Sequence, residues 1–153
     1  MGVVNVRTDS FYCYNFFEKD RKIGRFSYKN KRLLLAVYES ETNKDTYYFA
    51  WEKGRIGLDL KITLGDKDIF GIRIQSNYNF VITDFRNGEK YIFYPANLFN
   101  KGYWLKHEGI KIISLKHKFN WKKFRTERIL NSIANCDENL FFIVLFCEVY
   151  YTL

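Results

Sequence analysis

The stretch LFFIVLFC, residues 140–147, sets eight apolar residues in a row in a 153-residue chain whose other apolar residues mostly alternate with polar ones. In any regular conformation such a run is apolar on every side, so other protein or lipid must surround it. A membrane-spanning helix requires about 20 consecutive apolar residues. Here Glu148 interrupts the run after eight, which argues against a spanning anchor. Periodicity does not separate a short all-apolar strand from a buried helix. Asn135 followed by Glu138 has the spacing of a reciprocal N-terminal cap, and this predicts a helix over 138–151. A helix apolar all round must be enclosed by protein.

The rest of the chain is rich in strands that could enclose it. FYCYNFF leads through EKDRK into IGRFSY as a hairpin, and RLLLAVY and TYYFAW flank the polar loop ESETNKD at 39–45. RIGLDLKITL alternates most clearly, with Ile56, Leu58, Leu60, Ile62 and Leu64 on one face and Asp59, Lys61 and Thr63 on the other. A Gly-Asp turn at 65–66 joins it to IFGIRI, where Phe70, Ile72 and Ile74 alternate again. FVITDF and EKYIFY flank Asn87-Gly88, a pair suited to the positive φ angles of a type I′ turn. YWLK and IKIISLK follow across His107-Glu108-Gly109.

Strands repeating every ~8–12 residues with short turns point away from βαβ units. They predict a mainly β fold, an antiparallel β-barrel or strongly curved sheet of about 10–12 strands spanning about 3–118, in a single domain over 1–153. After residue 118 the period changes. TERILNSIAN puts Ile129, Leu130, Ile133 and Ala134 on one helical face and Glu127, Arg128, Asn131 and Ser132 on the other. That spacing predicts a first helix over about 121–135.

An eight-stranded barrel is filled by its own side chains, whereas a wider one leaves room inside. A helix with its side chains is ~10–12 Å across, so ten to twelve strands can wrap one. A hairpin of the form x-F-x-x-D-x-x-I-G occurs in NFFEKDRKIGRFSY (15–28), with further strand-and-turn pieces in GDKDIFGIRI (65–74) and NFVITDFRNGEKYIFY (79–94) and the wholly apolar tail in ENLFFIVLFCEVYY (138–151). In these pieces the chain resembles the tubby C-terminal-like superfamily, which includes tubby proteins, phospholipid scramblases and LURP-one-related proteins. The resemblance implies a barrel plugged by the apolar helix. No position matches the tubby phosphoinositide-binding motif or the calcium-ligand stretch of scramblases, so it assigns no functional residue.

Composition agrees with a sheet protein, with aromatics at 20% and a single proline. The net charge of +8 is uneven: residues 1–35 carry eight Lys/Arg against three acids, and 101–128 carry nine against two. Brought together, these stretches would make a basic face for phosphate or an anionic membrane; kept apart, they are solvated loops. Cys13, Cys136 and Cys147 lack metal-ligand spacing and read as reduced thiols. The N-terminal MGVVNVRTDS has no basic n-region before a long apolar stretch, and Val6 stands where a myristoylation signal has Ser or Thr. A cytoplasmic protein is the expectation.

Residues capable of chemistry are scattered. His107 and His117 lie ten residues apart without further ligands at zinc spacing and read as turn or surface histidines. Cys136-Asp137 at a helix start could lower a thiol pKa, but the sequence places no base beside it. Asp66 and Asp68 read as turn residues. Gly54, Gly57, Gly65 and Gly71 form no phosphate loop. The expectation is therefore no enzyme, no cofactor and no metal site.

The segment KHKFNWKKFRTER, 116–128, stands out. Lys116, Lys118, Lys122, Lys123, Arg125 and Arg128 interleave with Phe119, Trp121 and Phe124. Aromatics among cations suit a membrane interface with anionic lipid or single-stranded nucleic acid. The structural alternative docks Trp121 and Phe124 onto the end of the barrel. The candidate anion- or lipid-binding residues are Lys116, Lys118, Trp121, Lys122, Lys123, Arg125 and Arg128. They suggest a non-enzymatic binding or scaffold protein, with a nucleic-acid-binding module or a carrier of a small apolar ligand as alternatives.

Overall fold

A computed structural model of the chain describes residues 2–10, 12–30, 35–51, 59–75, 79–95, 102–133 and 136–151. Twelve antiparallel strands run in order around a closed barrel: β1 (Val3–Ser10), β2 (Cys13–Glu18), β3 (Arg21–Asn30), β4 (Leu35–Ser40), β5 (Thr46–Trp51), β6 (Asp59–Leu64), β7 (Lys67–Ile74), β8 (Phe80–Asp84), β9 (Lys90–Pro95), β10 (Gly102–His107), β11 (Ile110–Asn120) and β12 (Arg125–Ser132). Each strand pairs with its neighbours in sequence, and β1 closes the ring against β12, with Val4 opposite Leu130 and Val6 opposite Arg128. Closure removes the unpaired edge strands that an open sheet would expose. Among the described residues a single helix, α1 (Asn139–Tyr151), follows β12.

The helix expected over 121–135 is not formed. Residues 121–124 are a turn, and Arg125–Ser132 is a strand pairing with both β11 and β1. A helix there would leave two strands with open edges. Elsewhere the alternation holds: of the β6 face, Leu60 and Ile62 are buried and Leu64 packs against the core, while Ile56 and Leu58 lie outside the described residues.

The tight connections gather at one end of the barrel, here called the turn end. Glu108 and Gly109 both take positive φ, as a type I′ turn requires. Asn87-Gly88 does not form the expected two-residue turn. Only Gly88 has positive φ, and β8 and β9 are joined across 85–89 by a loop in which Asp84 accepts the Arg86 N–H at 2.9 Å and Asn87 accepts the Glu89 N–H at 2.9 Å.

A three-fold repeat underlies the barrel. In the β2–β3, β6–β7 and β10–β11 hairpins the register slips by one residue, leaving Ile23, Ile69 and Ile112 as bulges. Each bulged carbonyl accepts the N–H of the residue just after the next strand, from Glu41 at 2.8 Å, Phe85 at 2.9 Å and Ile133 at 2.8 Å. Bulges bend a strand and sharpen its twist, so three equivalent bends help curl three four-stranded units into one ring.

The helix fills that ring. Residues from Leu140 to Val149 are all buried, on every side of the helix. Phe142 stacks on Tyr38 at 4.1 Å between centroids and meets Tyr47 at 5.1 Å and Phe49 at 5.7 Å. One turn on, Phe146 meets Phe49 at 4.9 Å and Tyr28 at 6.1 Å. Each buried aromatic or aliphatic side chain stabilises the fold by about 1.5–3 kcal/mol. Asp137 caps the helix, its Oδ1 accepting the Asn139 N–H at 3.0 Å; the cap expected at Asn135 lies outside the described residues.

The helix N-terminus is tied to the barrel wall. Arg86 donates to Asp84 at 2.8 Å and also to Asp137, and Thr42 donates to Glu138 at 3.2 Å. Burial works against ionisation of Asp84, but the hydrogen bonds from Arg86 outweigh it and hold its pKa below the usual carboxylate value. Among the described residues no helix is long and apolar enough to cross a membrane.

Candidate functional site

At the end opposite the tight turns, β11 and β12 outrun their neighbours. The last β11 residue paired with β10 is Lys116, and β12 pairs with β1 only from Arg128 onward. Beyond these points the two strands pair with each other alone, from Lys118↔Glu127 to Asn120↔Arg125, with His117↔Arg128 at the root. The result is a two-stranded prong.

Its tip is shaped by Asn120 and Phe124. The Asn120 Oδ1 accepts the N–H groups of Lys122 and Lys123 at 3.1 and 3.2 Å, and Phe124 takes φ 51°. A bulky residue in that left-handed region is strained. Trp121 and Phe124 do not dock onto the barrel. Both are 79% exposed, and they meet Phe119 edge-to-face at 4.7 and 5.5 Å. Exposed lysines surround this apolar tip: Lys122 and Lys123 within the turn, Lys116 and Lys118 down the outer face of β11. Arg125 is held on the same face by Glu127, 3.4 Å away.

The expected set is therefore brought together on one projection, except for Arg128. Leu130 is fully buried, so the alternation of β12 turns Arg128 toward the interior. There its Nε donates to Glu148 Oε2 at 2.8 Å, and its guanidinium lies 5.3 Å from the Tyr14 ring centroid. His117, expected as a turn or surface histidine, is indeed exposed, and its Nε2 lies 3.1 Å from Glu148 Oε1. Glu148 is fully buried, and the two cross-strand partners at the root of the prong bind its two carboxylate oxygens. Burial pushes the nearby Tyr14 and Tyr28 phenols and the Cys147 thiol up in pKa, which keeps these neighbours neutral.

The remaining described candidates lie away from the prong. The Cys136 thiol is raised rather than lowered, mainly by burial, with a hydrogen bond to Ser132 working the other way. Asp68 forms an ion pair with Lys61 at 2.9 Å, and Asp66 sits in the β6–β7 turn. Gly71 lies beneath the Phe85 ring, while Gly54 and Gly57 lie outside the described residues. Among the described residues no group of His, Cys, Asp and Glu is arranged to hold a metal ion. Surface grooves of about 430 Å³ over β6–β8 and about 360 Å³ at the turn end contain no prong residue.

Phe119 and Glu148 complete this region, and composition alone does not mark either one. Phe119 is legible only as one more aromatic in the segment, and Glu148 only as an interruption of an apolar run. No family model, curated protein or solved structure matches the chain.

Proposed function

We propose that this is a non-enzymatic binding protein that attaches to anionic membrane surfaces through the β11–β12 prong. The observation that carries this reading is the exposed, self-packed aromatic tip ringed by lysines. Aromatic rings favour the headgroup layer, and each lysine near an anionic leaflet adds about 1 kcal/mol of attraction. The resemblance to the tubby C-terminal-like superfamily fits a barrel around an apolar helix and enters here only as a companion proposal. A cytoplasmic location belongs to the same reading.

Single-stranded nucleic acid is the second candidate partner. Base stacking uses open ring faces, whereas the three tip aromatics turn edges and faces toward one another, and this favours the membrane. The interior is occupied by α1, which disfavours a carrier of small apolar ligands.

Vesicle co-sedimentation tests the reading. The protein pellets with vesicles containing phosphatidylserine and stays in solution with neutral ones. The double change Lys122→Glu, Lys123→Glu weakens binding at least about thirtyfold. Failure to bind anionic vesicles at low salt, together with salt-sensitive oligonucleotide binding, would shift the assignment to nucleic acid.

Phe124→Gly separates function from stability. Relief of the left-handed strain raises stability by about 1 kcal/mol, or roughly 2–4 °C in Tm. Loss of the ring weakens vesicle binding in the same protein. A drop in Tm would show that Phe124 is a packing residue.

A further inference from the structure

Charge is sorted along the barrel axis. The connections of the turn end carry eight of the seventeen acids, among them Asp20, Glu41, Asp45, Glu89 and Glu108, against the three cations Lys19, Lys44 and Arg86. In the prong half the described acids are Asp9, Asp59, Glu127 and Glu148. Three of these already face cations: Asp59 holds Arg73 at 2.8 Å, Glu127 holds Arg125, and Glu148 lies inside with Arg128. Lys116, Lys118, Lys122 and Lys123 remain exposed there, and so does Lys29 at the same end of β3, across β1 and β2 from the prong.

Resting on the membrane reading above, we propose that the barrel docks end-on, with the whole prong end facing the bilayer. It then responds to the surface density of monoanionic lipid rather than to one headgroup. The charge separation supplies the orientation. Strands mostly of six to eight residues, ~20–26 Å long and tilted as barrel strands are, hold the two ends about two Debye lengths apart at physiological ionic strength, where one is about 8 Å. The acidic end is thus screened from the membrane when the basic end touches it. The lack of headgroup choice follows from the way the cations spread. Lys116 and Lys118 lie on the flank of the prong, Lys122 and Lys123 at its tip and Lys29 on another strand, and neither surface groove gathers them. Selecting a single phosphate requires donors that converge on it.

Matched charge reversals at the two ends provide the test, read on vesicles of neutral lipid with phosphatidylserine. Lys29→Glu, off the prong, weakens binding at least about fivefold. Lys67→Glu, at the turn end, changes net charge equally and leaves binding within about twofold. Vesicles holding a polyphosphoinositide at the same total negative charge bind within about threefold of the phosphatidylserine vesicles. Equal losses from the two reversals overturn the orientation. No loss from Lys29→Glu, with the Lys122/Lys123 change still abolishing binding, restricts contact to the prong and overturns end-on docking alone. A tenfold or greater preference for the polyphosphoinositide overturns charge-density sensing. If the unaltered protein binds no anionic vesicle, both this inference and the membrane reading fall.

Discussion

Phe142→Asp yields no folded protein. The side chain is fully buried and touches the rings of Tyr38, Tyr47 and Phe49. Truncating such a phenylalanine costs about 3–5 kcal/mol, and a carboxylate in its place adds the desolvation of an unpaired charge. Together these approach or exceed the whole stability of an ordinary domain, about 5–15 kcal/mol. Val144→Asp behaves alike although position 144 lies on the opposite side of the helix, because Val144 is also fully buried. A helix with one wet face would tolerate one of the pair. Circular dichroism and gel filtration of both variants, with Phe142→Leu as a folded control, decide the matter. A folded Val144→Asp protein would disprove all-round burial.

Arg128→Ala is the second large effect. It removes the Arg128 hydrogen bond from the fully buried Glu148, whose other carboxylate oxygen keeps its contact with His117. Removing one partner of a buried pair costs about 3–5 kcal/mol, while replacing both partners by apolar residues is often close to neutral. Urea denaturation of Arg128→Leu, Glu148→Leu and the double variant therefore shows strong positive coupling, with the double variant more stable than Arg128→Leu. Additive losses would place the pair in contact with water. Because Arg128 and His117 pair across the root of the prong, this measurement also reports how firmly the prong is anchored.

The barrel and its plug are legible in the sequence because most inward positions are apolar, as in the Leu60–Ile62 face. The misreading at 125–132 has a definite cause. The inward-parity positions of that strand are Thr126, Arg128, Leu130 and Ser132, mostly polar because Thr126 lies exposed on the prong beyond the barrel, Arg128 binds Glu148 at one mouth and Ser132 contacts Cys136 at the other. With its inner face polar, the strand shows apolar residues at 129, 130 and 133, a spacing that imitates a helix. The contact of the exposed His117 with Glu148 is not legible either, since its partner is 31 residues away in a different element. The three-fold repeat is invisible because its shared signature is a charged residue followed by isoleucine, at Lys22-Ile23, Asp68-Ile69 and Lys111-Ile112, too short to rise above chance. The cationic and aromatic composition of the prong was readable, but its projection depends on where β10 and β1 stop pairing.

The position of α1 has a consequence for how the chain is made. Synthesis runs from the N-terminus, and every strand is complete before residue 139 emerges, yet the space those strands enclose has nothing to fill it until α1 arrives. The seam joining β1 to β12 also brings together residues separated by almost the whole described chain, the kind of distant contact that slows folding. A nascent chain therefore carries a long, sticky, half-finished wall until α1 is delivered. Commitment to the native state is a late event, and a ribosome paused before residue 140 holds the intermediate most exposed to chaperones and to aggregation.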